Sequence, residues 1–140
     1  MFGFYNKLLR IDLTQQSYEI EQIADDILEQ TLGGKGLAIH LLLKHNPPQV
    51  DPLSPENRLI FATGPVAGSS IWGSCRHGVY TKSPQTGLFS ESYSGGTVAE
   101  YMAASGVDVV VIEGAAVEPT WIEIQNETVI FHPAEDLWGL

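Results

Sequence analysis

The sequence of 140 residues contains a single cysteine, Cys75. One thiol excludes an internal disulfide, and it excludes a zinc site or an iron–sulfur cluster built from several cysteines of this chain. Long hydrophobic runs are also missing, and the first ten residues show no signal-peptide pattern. These absences favour a soluble protein of a reducing, cytoplasmic compartment.

Basic residues are scarce as well. Seven Lys and Arg stand against 17 Asp and Glu, which gives a formal net charge of −10. An acidic chain without a basic cluster repels a phosphate backbone, so we expect no binding to nucleic acid. Against this background Arg76 is conspicuous, because it lies among glycines in a loop. An arginine in that setting is a candidate contact for an anion.

What is present suggests one globular unit. Hydrophobic residues make up 44% of the chain and charged residues 17%, a composition typical of folded proteins. Periodicity and turn residues predict a strand pair, two helices, a proline-rich connector, three strands, a helix and three further strands. The predicted ranges, in that order, are 8–13 with 17–23, then 24–32, 35–45, 46–57, 58–63, 78–82, 87–92, 97–105, 107–113, 120–125 and 128–132. This order favours an α+β fold with mostly antiparallel sheets and a few short helices.

The segment Ser94-Gly95-Gly96 lies between a predicted strand and a predicted helix. Ser94 is suited to cap the helix, and the two glycines let a ligand approach unpaired main-chain N–H groups. The pattern is weak by itself, because such an entrance is more often only a turn. It lacks the lysine of a phosphate-binding loop and the spacing of a dinucleotide-binding fingerprint, so neither ATP nor NAD is favoured.

A second candidate is the long small-residue loop from 64 to 78, which joins two predicted strands. Loops of this length are usually functional or disordered, and the presence of Trp72 and Arg76 argues against disorder. An exposed surface excursion remains an equally good interpretation. Arg76 lies where the loop returns to a strand, so a rigid neighbour would hold its guanidinium ready for a phosphate or carboxylate.

No catalytic set emerges from the remaining polar residues. The four histidines have no metal-ligand spacing, and Cys75 has no recognisable base beside it. The pair Asp25-Asp26 fits the N-terminus of a helix better than acid–base catalysis. The residues therefore indicate ligand binding rather than complete catalysis.

Several short motifs together resemble a known family, the tungsten-dependent aldehyde ferredoxin oxidoreductases, in their N-terminal domain. The resemblance runs in order along nearly the whole chain, and several motifs in register are far more specific than any one. The motifs occupy residues 33–38, 51–57, 63–65, 81–87, 94–96 and 136–139.

The resemblance implies a cofactor and its contacts. In this family the N-terminal domain is a base of two intertwined α+β halves that carries a tungsten, or molybdenum, bis-pterin. It implies that Arg76 and Gly95 contact the pterin, and we expect the neighbouring Ser94 and Gly96 of the same turn to contribute to cofactor binding. It also implies that the main-chain carbonyl of Tyr93 helps to hold a magnesium ion between the pterin phosphates. The parent enzyme would oxidise aldehydes to carboxylic acids and pass electrons through a 4Fe-4S cluster to ferredoxin.

Two departures from the family pattern leave alternatives open. Tyr93 stands where the family commonly has asparagine, and the chain ends before the cluster cysteines and proton-transfer residues of the family. We therefore expect residues 1–140 to be a single domain or fragment that needs the remainder of the oxidoreductase chain, with a homodimer as a further expectation. The alternatives are a non-catalytic structural or interaction module that keeps the fold without binding pterin, and a stand-alone binder of small phosphorylated ligands.

Overall fold

The computed structural model describes all 140 residues as two β-sheets, three α-helices and a short 3-10 turn. The larger sheet has six strands in the order β2-β1-β6-β3-β4-β5, and β7 and β8 form a separate hairpin. All neighbouring strands are antiparallel except β1 and β6. The element bounds are β1 Lys7–Asp12, β2 Ser17–Gln22, α1 Asp25–Thr31, α2 Gly34–His45, β3 Leu59–Thr63, β4 His77–Lys82, β5 Phe89–Ser94, α3 Val98–Ala104, β6 Val109–Glu113, β7 Thr120–Gln125, β8 Thr128–Pro133 and the 3-10 turn Glu135–Leu137.

The two faces of the large sheet carry two separate cores. Helices α1 and α2 cover one face, where Leu37 and Leu41 of α2 pack with Ile60 and Tyr80 of the sheet. On the other face α3 and the β7–β8 hairpin cover a smaller cluster around Leu9. Alternation of side chains along each strand assigns neighbouring residues to opposite cores. The prediction of an α+β fold with mostly antiparallel sheets is confirmed.

All the predicted helices and strands are present, most of them with bounds shifted by one residue, and two strands begin two residues later than predicted. The strand predicted at 87–92 begins later, at Phe89, and runs to Ser94. The cause is a longer turn, in which the Ser83 N–H donates to the Leu88 carbonyl and the Gly87 N–H donates to the Ser83 carbonyl. The strand predicted from Val107 begins at Val109. Helix α1 ends at Thr31, and the left-handed residue that follows it is Leu32, directly before Gly33-Gly34.

The six-stranded sheet has two chemically different ends. At the glycine-loop end, β3 leads into the loop 64–76, β4 begins at His77, and β5 leads into Gly95-Gly96. At the ion-pair end, Arg10 and Arg58 both contact Glu113, with Nη1–Oε2 and Nε–Oε2 distances of 3.3 and 2.7 Å. The glycine-loop end is therefore the one that holds the predicted ligand residues.

The proline-rich connector 46–57 lies at the ion-pair end. As the sequence predicts, it has no helix or strand of its own. One side chain fastens it: the Asn57 Nδ2 donates to the Pro52 carbonyl at 2.8 Å and to the Lys82 carbonyl at 3.1 Å. No helix has the length and apolar character needed to cross a membrane, since the longest, α2, has 12 residues.

Candidate functional site

Arg76 and Gly95, far apart in sequence, lie side by side at the glycine-loop end. The β4–β5 ladder pairs His77 with Ser94, which brings the residues just beyond that pair, Arg76 and Gly95, opposite each other. A Cβ atom on Gly95 would stand 3.6 Å from the Arg76 Cδ and 3.8 Å from its Nη1. The arginine side chain therefore lies across the glycine, and the antiparallel hairpin is the cause.

The main chain after β5 supplies hydrogen-bond donors. The N–H groups of Gly95, Gly96 and Thr97 donate to no acceptor within the chain. Gly96 has a φ of +95°, which favours glycine, and the space beside its Cα is open. Successive free N–H groups in a glycine turn form a concavity that attracts anions. Together with Arg76 they make a donor set suited to a phosphate.

Arg76 is also unusual among the seven basic residues of the chain. Its guanidinium is exposed and has no hydrogen bond or ion pair, and the only other basic side chain without such a partner is Lys44 at the end of α2. The remaining five are engaged: Lys7, Arg10, Lys35 and Arg58 in ion pairs, and Lys82 with the Val50 carbonyl. The one free cation beside the glycine turn is therefore Arg76.

The predicted capping by Ser94 is wrong. Ser94 is the last residue of β5, and its hydroxyl donates weakly to the Gly95 carbonyl at 3.3 Å. Helix α3 begins only after Thr97, and no side chain caps it. Because the strand runs two residues further than predicted, the serine never reaches the helix. With seven residues, α3 is also short, so the donors of the site are those of the turn and the arginine.

Tyr93 points its side chain along the sheet rather than toward the glycine turn. Its ring meets the Tyr80 ring edge-on, with centroids 6.0 Å apart, and its hydroxyl donates to the Glu91 Oε2 at 3.3 Å. Tyr80 itself is buried over Gly78, where a Cβ would overlap its ring. Burial, followed by contact with Tyr93, raises the pKa of the Tyr80 phenol. A tyrosine at position 93 is thus accommodated without filling the turn.

Sequence reasoning missed one ion pair near the site. Lys35 in the first turn of α2 contacts Glu91 of β5, with an Nζ–Oε2 distance of 2.8 Å. The hydrogen bond to Glu91 raises the pKa of the Lys35 ammonium. Residues 35 and 91 are far apart in the chain, so only the packing of α2 on the sheet brings them together. No local sequence pattern predicts this contact.

His77 presents an unmet polar atom at the same end. The side chain is 9% exposed, and its Nδ1 is buried without a hydrogen-bond partner. An unmet buried nitrogen of this kind costs about 1–3 kcal/mol. Its neighbour in sequence, Arg76, and its neighbour across the ladder, Ser94, both belong to the predicted site. One of the three buried side-chain atoms without a hydrogen-bond partner therefore lies beside the predicted ligand residues, and the other two, Ser54 Oγ and Arg58 Nε, lie at the ion-pair end.

The long loop 64–76 is anchored rather than loose. Gly68 approaches α3 so closely that a Cβ there would stand 2.8 Å from the Ala103 Cβ. Trp72 at its tip is fully exposed. The loop thus has an ordered base and leaves an aromatic ring on the surface, and Arg76 occupies the point where it enters β4, as predicted.

A separate groove with an apolar lining lies at the other end of the sheet. It encloses about 590 Å³ between the end of α2, the proline-rich connector and the β4–β5 turn. Ile39, Leu42 and Phe89 contribute to its apolar lining. Its position at the ion-pair end separates it from Arg76 by the length of a strand. The groove is therefore no part of the anion site.

No three His, Cys, Asp or Glu side chains converge as they would around a metal ion. Arg76, the open space at Gly96 and the free N–H groups fit an anionic, oxygen-rich group such as a pterin phosphate. Tungsten or molybdenum would then be held through the pterin, since this chain supplies no ligand set for the metal.

Comparison with known proteins identifies relatives along nearly the whole chain. Residues 8–140 match the family described as the aldehyde ferredoxin oxidoreductase N-terminal domain. A tungsten-containing aldehyde ferredoxin oxidoreductase of Pyrococcus furiosus is 40% identical over 99% of this chain. That of Pyrococcus abyssi is 41% identical over the same share. The chain spans 23% of the length of each of these relatives.

Two further relatives carry other activities in their names. The WOR-like subunit of an aliphatic sulfonate oxidoreductase from Pyrococcus furiosus is 31% identical over 100% of this chain, and the match covers 23% of that protein. Among solved structures, the active site complex BamBC of benzoyl coenzyme A reductase with 1,5-dienoyl-CoA contains a similar domain. It is 36% identical, with a TM-score of 0.95 over 99% of this chain and 21% of that chain.

Proposed function

Since the chain belongs to the aldehyde ferredoxin oxidoreductase family through its N-terminal domain, we propose that it is the cofactor-binding N-terminal portion of a longer oxidoreductase. Arg76, Gly95, Gly96 and Ser94 would hold one side of a bis-pterin, and the Tyr93 carbonyl would bind a magnesium ion between its phosphates. The observation that carries this proposal is the free guanidinium of Arg76 beside three free main-chain N–H groups.

The acidic character of the chain supports a specific anion site at Arg76. With a net charge of −10, the surrounding field opposes an anion, so donors left free in one place mark a specific site. A bound phosphate would accept charge-assisted hydrogen bonds from Arg76 and from the turn, which are stronger than neutral ones. The tungsten bis-pterin supplies the redox chemistry once it is bound, and the residues of this chain position it.

The reaction we propose for the whole protein is oxidation of an aldehyde to a carboxylic acid, with electrons leaving through a 4Fe-4S cluster to ferredoxin in the cytoplasm. The names of two relatives, both tungsten-containing aldehyde ferredoxin oxidoreductases, support this reaction. Other relatives of the same domain are named for sulfonates and for glyceraldehyde-3-phosphate. We infer that residues beyond this domain select the substrate. The partners would be the remainder of the chain, ferredoxin and, in a homodimer, a second copy.

Replacing Arg76 tests the cofactor assignment. In the intact protein, Arg76→Ala should lower tungsten and pterin content severalfold, because the charged partner of the phosphate is lost. Metal analysis and pterin fluorescence measure both quantities. Lys44→Ala is the matched control, since Lys44 is the other unpaired cation and lies on α2. Unchanged content in Arg76→Ala would remove the proposal, and a wild-type protein isolated without pterin would favour the non-catalytic module.

The reaction is tested separately. Pterin-loaded intact protein should reduce ferredoxin with a panel of aldehydes and release the matching acids. A loaded protein that oxidises none of them would retain the cofactor assignment and overturn the aldehyde assignment.

A further inference from the structure

Strand β5 is an edge strand with a single neighbour, β4, yet it carries the glycine turn at its end. An edge strand held by one ladder moves more easily than a central one, so the position of the turn depends on whatever else fastens β5. On one face of β5 the alternating residues are Phe89, Glu91 and Tyr93. Phe89 and Tyr93 each pack on Tyr80 of β4, and Glu91 contacts Lys35 of α2.

Glu91 lies at the centre of these contacts. Its carboxylate accepts from the Lys35 Nζ at 3.0 Å through Oε1 and from the Tyr93 hydroxyl at 3.3 Å through Oε2. Lys35 belongs to α2, which is packed on the sheet core, so the carboxylate ties the edge strand to a second element. Tyr93 in turn rests its ring on the buried Tyr80. The contacts therefore link α2, β5 and β4 just before the turn.

We propose that Glu91, held between Lys35 and Tyr93, is a positioning residue that fixes the end of β5 and with it the main chain from Tyr93 to Gly96. This inference rests on the proposed function, because it concerns how the same anion site is kept in place. In this arrangement the side chain of Tyr93 holds the strand in place. Its main-chain carbonyl and the N–H groups that follow remain available to the ligand. Glu91 does not touch the ligand.

The test compares two surface ion pairs of similar exposure. Glu91→Ala breaks the Lys35 contact and the Tyr93 contact, whereas Lys7→Met breaks the Lys7–Glu127 pair, whose Nζ–Oε1 distance is 2.6 Å. Intact protein freed of cofactor is titrated with inorganic pyrophosphate in the presence of magnesium. Amide hydrogen exchange of residues 93–97 is measured alongside.

We expect Glu91→Ala to weaken pyrophosphate binding about threefold to tenfold and to speed exchange at residues 93–97, because the turn is no longer held. Lys7→Met should change neither quantity. The double variant Lys35→Glu with Glu91→Lys restores an ion pair between α2 and β5 and should recover most of the binding. The Lys7→Met variant, which loses a surface ion pair elsewhere in the fold, separates this positioning role from an effect on general stability.

Three results would overturn the inference. They are wild-type binding by Glu91→Ala, equal weakening by Lys7→Met, and no recovery in the exchanged pair. Arg76→Ala separates this inference from the proposed function: if it abolishes binding while Glu91→Ala does not, only the positioning role is lost. If Arg76→Ala also binds normally, the anion site itself is wrong.

Discussion

At the ion-pair end of the sheet two arginines share one carboxylate, whereas at the glycine-loop end an arginine and three main-chain N–H groups have no partner at all. The ion pairs at the first end are largely buried, with Arg10, Arg58 and Glu113 side chains 12%, 16% and 20% exposed. Arg76 at the other end is exposed. Charges at one end are thus used to hold the fold, and those at the other end remain free to bind.

Because the two ends of the sheet use their charges differently, substitutions at the two ends should have different effects. A change at the ion-pair end should alter the free energy of unfolding and leave ligand binding per folded molecule unchanged. A change at the glycine-loop end should do the reverse, except where it also strains the main chain.

Among such substitutions, Glu113→Ala should be the most damaging. It removes the only ion-pair partner of Arg58, whereas Arg10 keeps its ion pair with Glu21. Loss of one member of a buried ion pair costs about 3–5 kcal/mol, so we expect a loss at the lower end of this range, about 3 kcal/mol. Urea unfolding followed by fluorescence measures this loss. Glu118→Ala, at an exposed residue without an ion pair, is the control. A loss below about 1 kcal/mol would show that the two arginines are hydrated after all.

The glycines of the turn should separate strain from binding. Gly96→Ala places a side chain at a φ of +95° and should cost about 1–2 kcal/mol. Gly95→Ala meets only ordinary contacts with Arg76, so its stability should change by less than about 0.5 kcal/mol, while pterin content falls as the methyl group fills the cradle. Gly64→Ala, with open space and no positive φ, is the control for both. Full pterin content in Gly95→Ala would contradict the cradle.

His45 should give the ion-pair end a mild acid sensitivity. Burial, and then the charges of Arg10, Lys44 and Arg58, lower the pKa of its imidazole. A lowered pKa in the folded state means that the unfolded chain binds the proton more tightly, so stability is complete above about pH 6.5 and declines as the pH falls below it. Urea midpoints from pH 7.5 to 5 should show this slope, and His45→Gln should flatten it. An identical slope in the variant would assign the effect to other groups.

Local patterns accounted for the hairpins and helices, because each depends on neighbours in sequence. The turn residues Asn126-Glu127 and the alternation on either side were enough to predict β7 and β8. In the sequence, Pro84 and Gly87 are typical of a tight hairpin turn, but the observed turn continues to Leu88. Strand β5 therefore begins and ends two residues later than predicted, which displaces Ser94 from its predicted capping position. A shift of two residues at a strand end was enough to change the interpretation of a side chain.

In the candidate site, too, contacts between neighbours in a hairpin were predictable and contacts between distant elements were not. Arg76 and Gly95 meet because β4 and β5 form a hairpin, and that hairpin was predictable. The contact of Lys35 with Glu91 was not, because it depends on how α2 lies across the sheet. The sequence also could not predict that Arg76 has no ion-pair partner. That prediction would require the position of every carboxylate in an acidic chain.

The pairing of β1 with β6 has a consequence for how the chain acquires its structure. Leu8 lies opposite Val109 in this parallel ladder, and the Asp108 carboxylate accepts from the N–H groups of Tyr5 and Lys7 at 3.0 and 3.1 Å. During synthesis, the opening hairpin must therefore wait for about a hundred residues before its partner strand leaves the ribosome. Contacts of such long sequence separation slow folding, so the N-terminal segment is the part most in need of protection while the chain is still being made.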